Sequence, residues 1–493
     1  MGSRGNSDTL SAKDPNGSPS SIRSNVVVVG AGYVGLVTAA CLAHLGHRIR
    51  TVDQDATRIA SLRSGISPIV EPGLDGLIRT GLAEGRLSFE AELQDALPAA
   101  DMVFVAVGTL DADGRWTDAH VRSVLASILA AESVPPLIVV RSTMRPGTMQ
   151  RLQHLVAASA RPTHLLLNPE FTREGSAVAD FLAPHRIIVG VATEDPASVG
   201  EPIRQLFAGI DAPFLVVDHS SAELIKIGSN AFLAAKITFA NELARLCFAT
   251  GADMTRVREG IGLDPRIGPA FLQSGPGFGG SCLPSQVELL SAMSQELGLE
   301  LMPAVLRSNR EQPRRLVRDL LSELPTPDRV AVLGLAFKAN TDDTRESPSL
   351  RLVEALREAG VAEIRAYDPE VRGLATHAWV RVFPDAYVAA SGVEILVIAT
   401  EWPEFRSLDW GRLAQVMRGR EVFDARSIIA AEEASAFGFR VRSLERRYPQ
   451  RANRPYHEEL RHRPGTADSP SASQLPIGAT FVSGDRLPDR ALR

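Results

Sequence analysis

Apolar and polar positions change their period several times along the chain. Four consecutive valines at 26–29 read as a buried strand, and positions 36–45, after a glycine run, carry helical spacing. Short strand-like segments recur at 49–52, 102–107, 137–140, 164–167 and 186–189, the later ones separated by helix-length segments. That alternation predicts a mostly parallel, doubly wound α/β sheet. From 220 to 250 there is no proline and one internal glycine. This stretch predicts a helix of about 45 Å with little purely solvent-facing surface, long enough to bridge two domains or pair with a second chain. Leu324-Pro325-Thr326-Pro327 marks a boundary, and a second alternation follows. It has strands at 329–337, 364–367, 395–398 and 421–423, and a helix running to Gly360 with Ser347 as N-cap and Pro348 at its first position. The pattern predicts two α/β units joined by a helical region.

The glycines add chemistry to this outline. Gly30-Ala31-Gly32-Tyr33-Val34-Gly35 lies between a strand and a helix, and Asp53 ends the next strand, the spacing of a dinucleotide fingerprint. The glycines admit a pyrophosphate to the helix N-terminus, and Asp53 accepts from the adenosine ribose. Its carboxylate repels a 2′-phosphate, so NAD is favoured over NADP. The second unit has no such glycine pattern, which argues against a second dinucleotide. Gly108-Thr109, Ser142-Thr143 and Asn168-Pro169-Glu170 fall just past strand ends, where ligands sit in such sheets.

A second glycine run, from Gly275 to Gly280, leads into Ser281-Cys282-Leu283-Pro284-Ser285-Gln286 and delivers Cys282 to the start of a helix. The positive end of that helix is expected to lower the thiol pKa, making Cys282 a candidate nucleophile; the alternative is an inert, buried thiol. Lys226 and Asn230 stand one helical turn apart and face one site, unless Lys226 pairs with Glu223 on an exposed surface.

Composition narrows the class. With 493 residues and 44% hydrophobic content, the chain has material for two or three cores. A net charge of -5 points neither to nucleic acid nor to a membrane surface, and no apolar run reaches about 18 residues. Cys41, Cys247 and Cys282 show no metal spacing and leave an odd count, which fits a reducing, cytoplasmic setting. Residues 1–24, rich in Ser, Gly and Asn, read as a disordered leader. Residues 446–493, rich in Arg, Pro and Ser, read as a disordered tail.

The chain also resembles the UDP-glucose/GDP-mannose dehydrogenase family, motif after motif and in the family's order. The matching text is Gly30-Ala31-Gly32-Tyr33-Val34-Gly35, Ser67-Pro68-Ile69-Val70-Glu71-Pro72-Gly73-Leu74, Arg141-Ser142-Thr143 with Pro146-Gly147-Thr148, and Asn168-Pro169-Glu170-Phe171 with Glu174-Gly175. It continues with Glu223-Leu224-Ile225-Lys226 and Asn230, Gly279-Gly280-Ser281-Cys282, and Gly334-Leu335-Ala336-Phe337-Lys338 with Thr341-Asp342-Asp343-Thr344-Arg345-Glu346-Ser347-Pro348. Asp264-Pro265-Arg266-Ile267-Gly268-Pro269 looks most like the UDP-glucose 6-dehydrogenase branch, while Leu283 after the cysteine looks like the GDP-mannose branch.

The resemblance implies an NAD-binding Rossmann-like domain over 25–217, a central helical, dimerising region over 218–327 and a UDP-sugar-binding Rossmann-like domain over 328–445. It implies four-electron oxidation of a nucleotide sugar at C6, UDP-glucose favoured, through a thiohemiacetal and thioester on Cys282. GDP-mannose, dTDP-glucose or a catalytically impaired binding homologue are the alternatives. Carried over by motif, Lys226 stabilises oxyanions, Asn230 orients substrate, and Thr143 and Glu170 hold or activate water. Phe171, Glu174, Phe278, Gly279, Phe337, Lys338 and Arg426 are implied for the nucleotide sugar, with Arg266 reaching over from a partner in a homodimer or larger assembly. Gly30, Gly32, Tyr33, Val34, Gly35, Asp53, Arg58, Thr109, Thr143, Glu174 and Arg345 are implied for NAD; no metal is. The family's usual Cys-Phe-Pro-Lys-Asp or Cys-Leu-Pro-Lys-Asp becomes Cys282-Leu283-Pro284-Ser285-Gln286, and Leu110 replaces a usual proline. Gln286 positions water but takes no proton at neutral pH.

Overall fold

In a computed structural model, the described residues are 23–192, 196–322, 324–374 and 376–445; the expected tail, and the expected leader apart from Arg23 and Ser24, lie outside them. The first sheet comprises β1 (Asn25–Val29), β2 (Arg48–Val52), β3 (Leu87–Glu90), β4 (Met102–Val105), β5 (Leu137–Val140), β6 (His164–Leu167), β7 (Ile187–Val191) and β8 (Phe214–Asp218). Its strand order is β3-β2-β1-β4-β5-β6-β7-β8. The second comprises β9 (Arg329–Leu333), β10 (Glu363–Tyr367), β11 (Arg381–Val382), β12 (Ile395–Ile398), β13 (Glu421–Asp424) and β14 (Arg440–Ser443), in the order β11-β10-β9-β12-β13-β14. Neighbours are parallel throughout except β6 and β7, which meet antiparallel at Leu167 and Gly190.

In both sheets the order reverses beside the first strand, between β1 and β4 and between β9 and β12. At such a switch point adjacent crossovers leave in opposite directions and open a crevice at the carboxyl ends of the strands. Burial explains why β1, β4, β5 and β12 are near-continuous apolar runs. Val26, Val28 and Phe104 pack into a core on one face, and Val27, Val29, Val103 and Val105 into a core on the other. The four strands absent from the sequence reading, β3, β8, β11 and β14, are the four sheet edges. An edge strand is covered on fewer sides and tolerates text as polar as Arg440-Val441-Arg442-Ser443.

Between the sheets runs the long helix, His219–Thr250, capped by Asp218, whose carboxylate accepts from Ser221 N, and closed by Gly251 at φ 80°. It packs against β7 where Gly190 allows close approach: a Cβ there would come 2.7 Å from Ala222 Cβ. Helices Cys282–Glu296 and Leu301–Leu321 pack on its later turns. Among the described residues, no helix is long and apolar enough to cross a membrane.

The glycine turn after β1 separates two roles for glycine. A Cβ on Gly35 would lie 1.9 Å from Gly30 O, whereas one on Gly32 would meet nothing within 4 Å. Gly35→Ala is therefore expected to cost about 1–3 kcal/mol by overpacking. Gly32→Ala should stay within about 1 kcal/mol, because the loss at the N-cap and the gain from a stiffer unfolded chain offset each other. Denaturant midpoints of the two variants check this, and equal midpoints would contradict the close helix–strand contact.

Candidate active site

The dinucleotide end is built on backbone donors. Gly32 is the N-cap of helix Tyr33–His44 and has no side chain to cap it, so the first-turn N–H groups face the crevice without a protein acceptor from that residue. Asp53 is buried and locks the turn: Oδ2 accepts from Ala31 N at 2.7 Å and from Arg58 Nη1 at 3.0 Å, and Oδ1 accepts from Asp55 N at 2.9 Å. Arg58 thus steadies the carboxylate expected to receive the ribose. Tyr33 has a different hydrogen-bond partner: its hydroxyl donates to Glu71, and Glu71 accepts from Gly175 N at 2.6 Å and Ala177 N at 2.7 Å. This ties the glycine turn to the segment carrying Glu174. The open space over Gly32 and the acceptor at Asp53 fit NAD.

Strands β4, β5 and β6 deliver Thr109, Thr143 and Glu170 at their carboxyl ends. Glu170 and Lys226 form a buried ion pair, Oε1 to Nζ 2.9 Å, with side chains 6% and 4% exposed. Lys226 is therefore not on an exposed surface beside Glu223. Glu223 is itself buried, and accepts from Gly147 N at 2.6 Å and Met149 N at 2.8 Å. Burial alone would raise the Glu170 carboxyl, but the Lys226 ammonium, with Thr172 N and Oγ1 both donating at 2.6 Å, holds it below the usual carboxylate range. Phe171 lies under two cations, with Arg186 4.0 Å and Lys226 5.3 Å from its ring centroid. One turn on from Lys226, Asn230 Nδ2 donates to Gln286 Oε1 at 2.9 Å. Gln286 is buried, so the glutamine that replaces the family's aspartate is a fixed member of the site.

Three buried amides hold the loop that carries the cysteine. Asn241 accepts from Gly275 N at 2.7 Å, Gln312 donates to Gly275 O at 3.0 Å, and Asn309 both accepts from Phe278 N at 2.8 Å and donates to Phe278 O at 3.0 Å. Gly279 and Gly280 then pass so close to the second unit that a Cβ on Gly279 would sit 2.4 Å from Glu346 O, and one on Gly280 2.9 Å from the Phe337 ring. Cys282 is the first residue of its helix and the exposed cysteine of the three; Cys41 and Cys247 are buried. The expected fall in its pKa is not found. Although Cys282 is an exposed residue, protein crowds its sulfur, and the resulting desolvation raises the thiol pKa against the lowering effects of Lys226 and of the Ser281 hydrogen bond; Glu170 and Glu174 raise it further.

Residues from the second unit close the cleft. Arg345 Nη2 lies 3.7 Å from Glu174 Oε1 and 2.7 Å from Asp343 Oδ2. Burial, then the Asp343 charge, pushes the Glu174 carboxyl up to about 7. Burial likewise lowers Lys338. Arg426 is committed inward, to Ala399 O at 2.9 Å, Phe337 O at 3.2 Å and Glu401 at 3.3 Å, so it braces the wall behind Phe337. Arg266 stands apart: it is exposed and paired with Asp264 at 2.7 Å. Among the described residues, no cluster of His, Cys, Asp and Glu has the arrangement of a metal site. Glu71, Ser281 and Asp343 went unassigned in the sequence, although each stands inside a motif quoted above.

Three family models match in order: the NAD binding domain of the UDP-glucose/GDP-mannose dehydrogenase family over residues 24–211, its central domain over 220–311 and its UDP binding domain over 331–431. A UDP-glucose 6-dehydrogenase of Rhizobium meliloti is 39% identical over 441 residues, covering 85% of this chain and 99% of that protein. The structure of a UDP-glucose dehydrogenase from Pyrobaculum islandicum aligns with TM-score 0.77 at 36% identity, covering 87% of this chain and 100% of that one. That of a UDP-D-ManNAc dehydrogenase from Pyrococcus horikoshii aligns with TM-score 0.74 at 27% identity, covering 85% and 99%. Matched along its length by all three domain models, the chain belongs to the UDP-glucose/GDP-mannose dehydrogenase family of NAD-dependent nucleotide-sugar oxidoreductases.

Proposed function

We propose that this chain oxidises the C6 alcohol of UDP-glucose to the carboxylate in two successive hydride removals, holding the aldehyde on Cys282 between them. The observation that carries this reading is the accessible Cys282 thiol in the field of the buried Lys226–Glu170 pair. The likeness to the Rhizobium meliloti enzyme supports UDP-glucose as the sugar. NAD bound at the glycine turn, against Gly30, Gly32, Val34, Gly35 and Asp53, supplies the hydride acceptor. Cys282 adds to the aldehyde, and its sulfur serves later as leaving group when water cleaves the thioester. Lys226 stabilises the oxyanion in each step. Asn230 orients the sugar, while Thr143 and Glu170 position the water. Phe171, Phe278, Gly279, Phe337 and Lys338 line the nucleotide-sugar cleft, with Arg426 behind Phe337. Arg345 holds Glu174 where the two ligands meet.

We place Arg266 in the cleft of a second copy, since in its own chain it is exposed and turned back onto Asp264. The long helix exposes Leu224, Phe232, Phe239 and Leu246, spaced seven or eight residues apart along one face. Such a face suits pairing between copies. The free cysteines suit a reducing compartment such as the cytoplasm. Gln286 favours a second reading, a homologue that binds nucleotide sugars but turns over slowly, because losing a general base costs about 10²–10⁴-fold.

With UDP-glucose, and with GDP-mannose and dTDP-glucose as comparisons, the first reading predicts about two NADH per sugar consumed. Cys282→Ser should form no acid; unchanged acid formation by that variant would exclude the thioester route. Phe232→Asp combined with Phe239→Asp is expected to yield monomers by sedimentation, with activity reduced at least about tenfold through loss of Arg266 from the partner's cleft. Gln286→Asp separates the two readings. Under the first, kcat changes by less than about tenfold; under the second, it rises by about 10²-fold or more.

A further inference from the structure

With Gln286 unable to accept a proton, the carboxylates near the thiol divide the remaining work unequally. Glu170 is held as the anion: Lys226 donates to its Oε1 and both donors of Thr172 to its Oε2, and these contacts leave it able to accept a hydrogen bond from water but weakly basic. A group so stabilised as the anion is a poor proton acceptor. Glu174 has the opposite character. Its side chain is 13% exposed, it faces Asp343, Arg345 and Lys338 across the cleft, and its carboxyl titrates close to neutrality. That is the range in which a general base works best.

Ser281 joins Glu174 to the thiol. Its hydroxyl donates to Glu174 Oε1 at 3.4 Å, and its oxygen lies 3.6 Å from Cys282 Sγ. When the Ser281 hydroxyl donates to Glu174, its oxygen is free to accept from S–H, and in that arrangement both links run toward the carboxylate. The serine that replaces the family's lysine supports this geometry: Ser285 Oγ donates to Ser281 O at 2.6 Å and, more weakly, to Cys282 O at 3.3 Å.

We propose that Glu174, acting through Ser281, takes the thiol proton of Cys282 as the sulfur attacks the aldehyde. This rests on the dehydrogenase reading above and assigns the base of its thiol-capture step. The Sγ–H proton passes to Ser281 Oγ while the Ser281 hydroxyl proton passes to Glu174 Oε1. The S–C6 bond forms, the carbonyl π pair becomes an alkoxide stabilised by Lys226, and Glu174 ends protonated. Nothing is oxidised or reduced, and the charge lost by Glu174 appears on the alkoxide.

The test needs neither sugar nor NAD. The full chain is alkylated with iodoacetamide across acid to mildly alkaline pH, and modification of Cys282 is followed by peptide mass spectrometry. In the unsubstituted chain the rate should rise through an inflection near pH 7, where Glu174 becomes able to accept a proton. Ser281→Ala and Glu174→Gln should each remove the inflection and slow alkylation near neutrality by about tenfold or more, and Ser281→Thr should restore both. A carboxylate acting only by its charge predicts the opposite sign: Glu174→Gln would then be alkylated as fast as the unsubstituted chain, or faster. That result, or an unaltered profile in Ser281→Ala, overturns the proposal. The buried Cys41 and Cys247 report folding in the same spectra, since they react only when the fold opens; if Glu174→Gln opens, Ser281→Ala and Ser281→Thr decide. A chain with this profile that oxidises no nucleotide sugar would refute the function and keep the relay.

Discussion

The site depends on one buried ion pair. Glu170 stands at the end of β6 and Lys226 two turns into the long helix, so their 2.9 Å contact fixes the rotation and height of that helix against the first sheet. Removing either partner would leave an uncompensated charge in a low-dielectric interior, a loss of about 3–5 kcal/mol. The register it sets propagates along the rigid helix. Asn230 arrives one turn later beside Gln286, and Asn241 about three turns after that at the glycine loop. A slip of even one residue would aim Asn230 away from Gln286 and Asn241 away from Gly275. The charge pair proposed to act in the chemistry therefore also holds the geometry. Its stabilising side follows from the depressed Glu170 carboxyl: that contribution is present above the carboxyl's unfolded pKa and is lost as pH falls through the folded value.

The second sheet repeats the logic of the first with different chemistry. Gly30 N donates to Val52 O and Gly334 N to Tyr367 O, each at 2.7 Å. Asp53 Oδ2 accepts from Ala31 N and Asp368 Oδ2 from Leu335 N, again each at 2.7 Å. The difference lies in what remains free. Asp368 is 1% exposed and also receives Ala336 N and Trp402 Nε1, leaving no room for a ribose. Instead of entering a helix directly, the chain after Gly334 runs through Phe337, Lys338, Asp343 and Arg345 before helix Pro348–Glu358 begins. That detour projects charge toward Glu174 and rests Phe337 on Gly280.

Much of this was legible in the sequence because its causes are local. Strands buried on both faces must be apolar along their length, so the interior strands β1, β4, β5, β9 and β12 are evident from hydropathy alone; the edges are not, because their neighbours are on one side and solvent on the other. The glycine turn and Asp53 could be read because strand, turn and helix are contiguous. Pairings set by the meeting of distant segments could not be read. Lys226 has Glu223 three residues away and Glu170 fifty-six away, and spacing favours the wrong partner. The Cys282 pKa failed in the same way: the helix terminus was visible, but the crowding that outweighs it comes from segments distributed over the chain.

Ser285 and Gln286 looked like damage in the sequence, and the packing gives each a defined part. Gln286 retains the acceptor that orients Asn230 without adding a second buried anion beside Lys226, whose charge Glu170 already balances. An aspartate there would place another carboxylate near a thiol whose ionisation Glu170 and Glu174 already oppose. Ser285 turns its hydroxyl back onto Ser281 O, and Trp116 Nε1 donates to Ser285 O at 3.1 Å, binding the loop beyond β4 to the first turn of the cysteine helix. A lysine at 285 would have no hydroxyl for the first contact and would bring a cation beside the thiol. The two substitutions therefore act in concert: one removes an anion, the other avoids a cation, and the local charge balance around Cys282 is kept while the proton-accepting duty shifts across the cleft to Glu174.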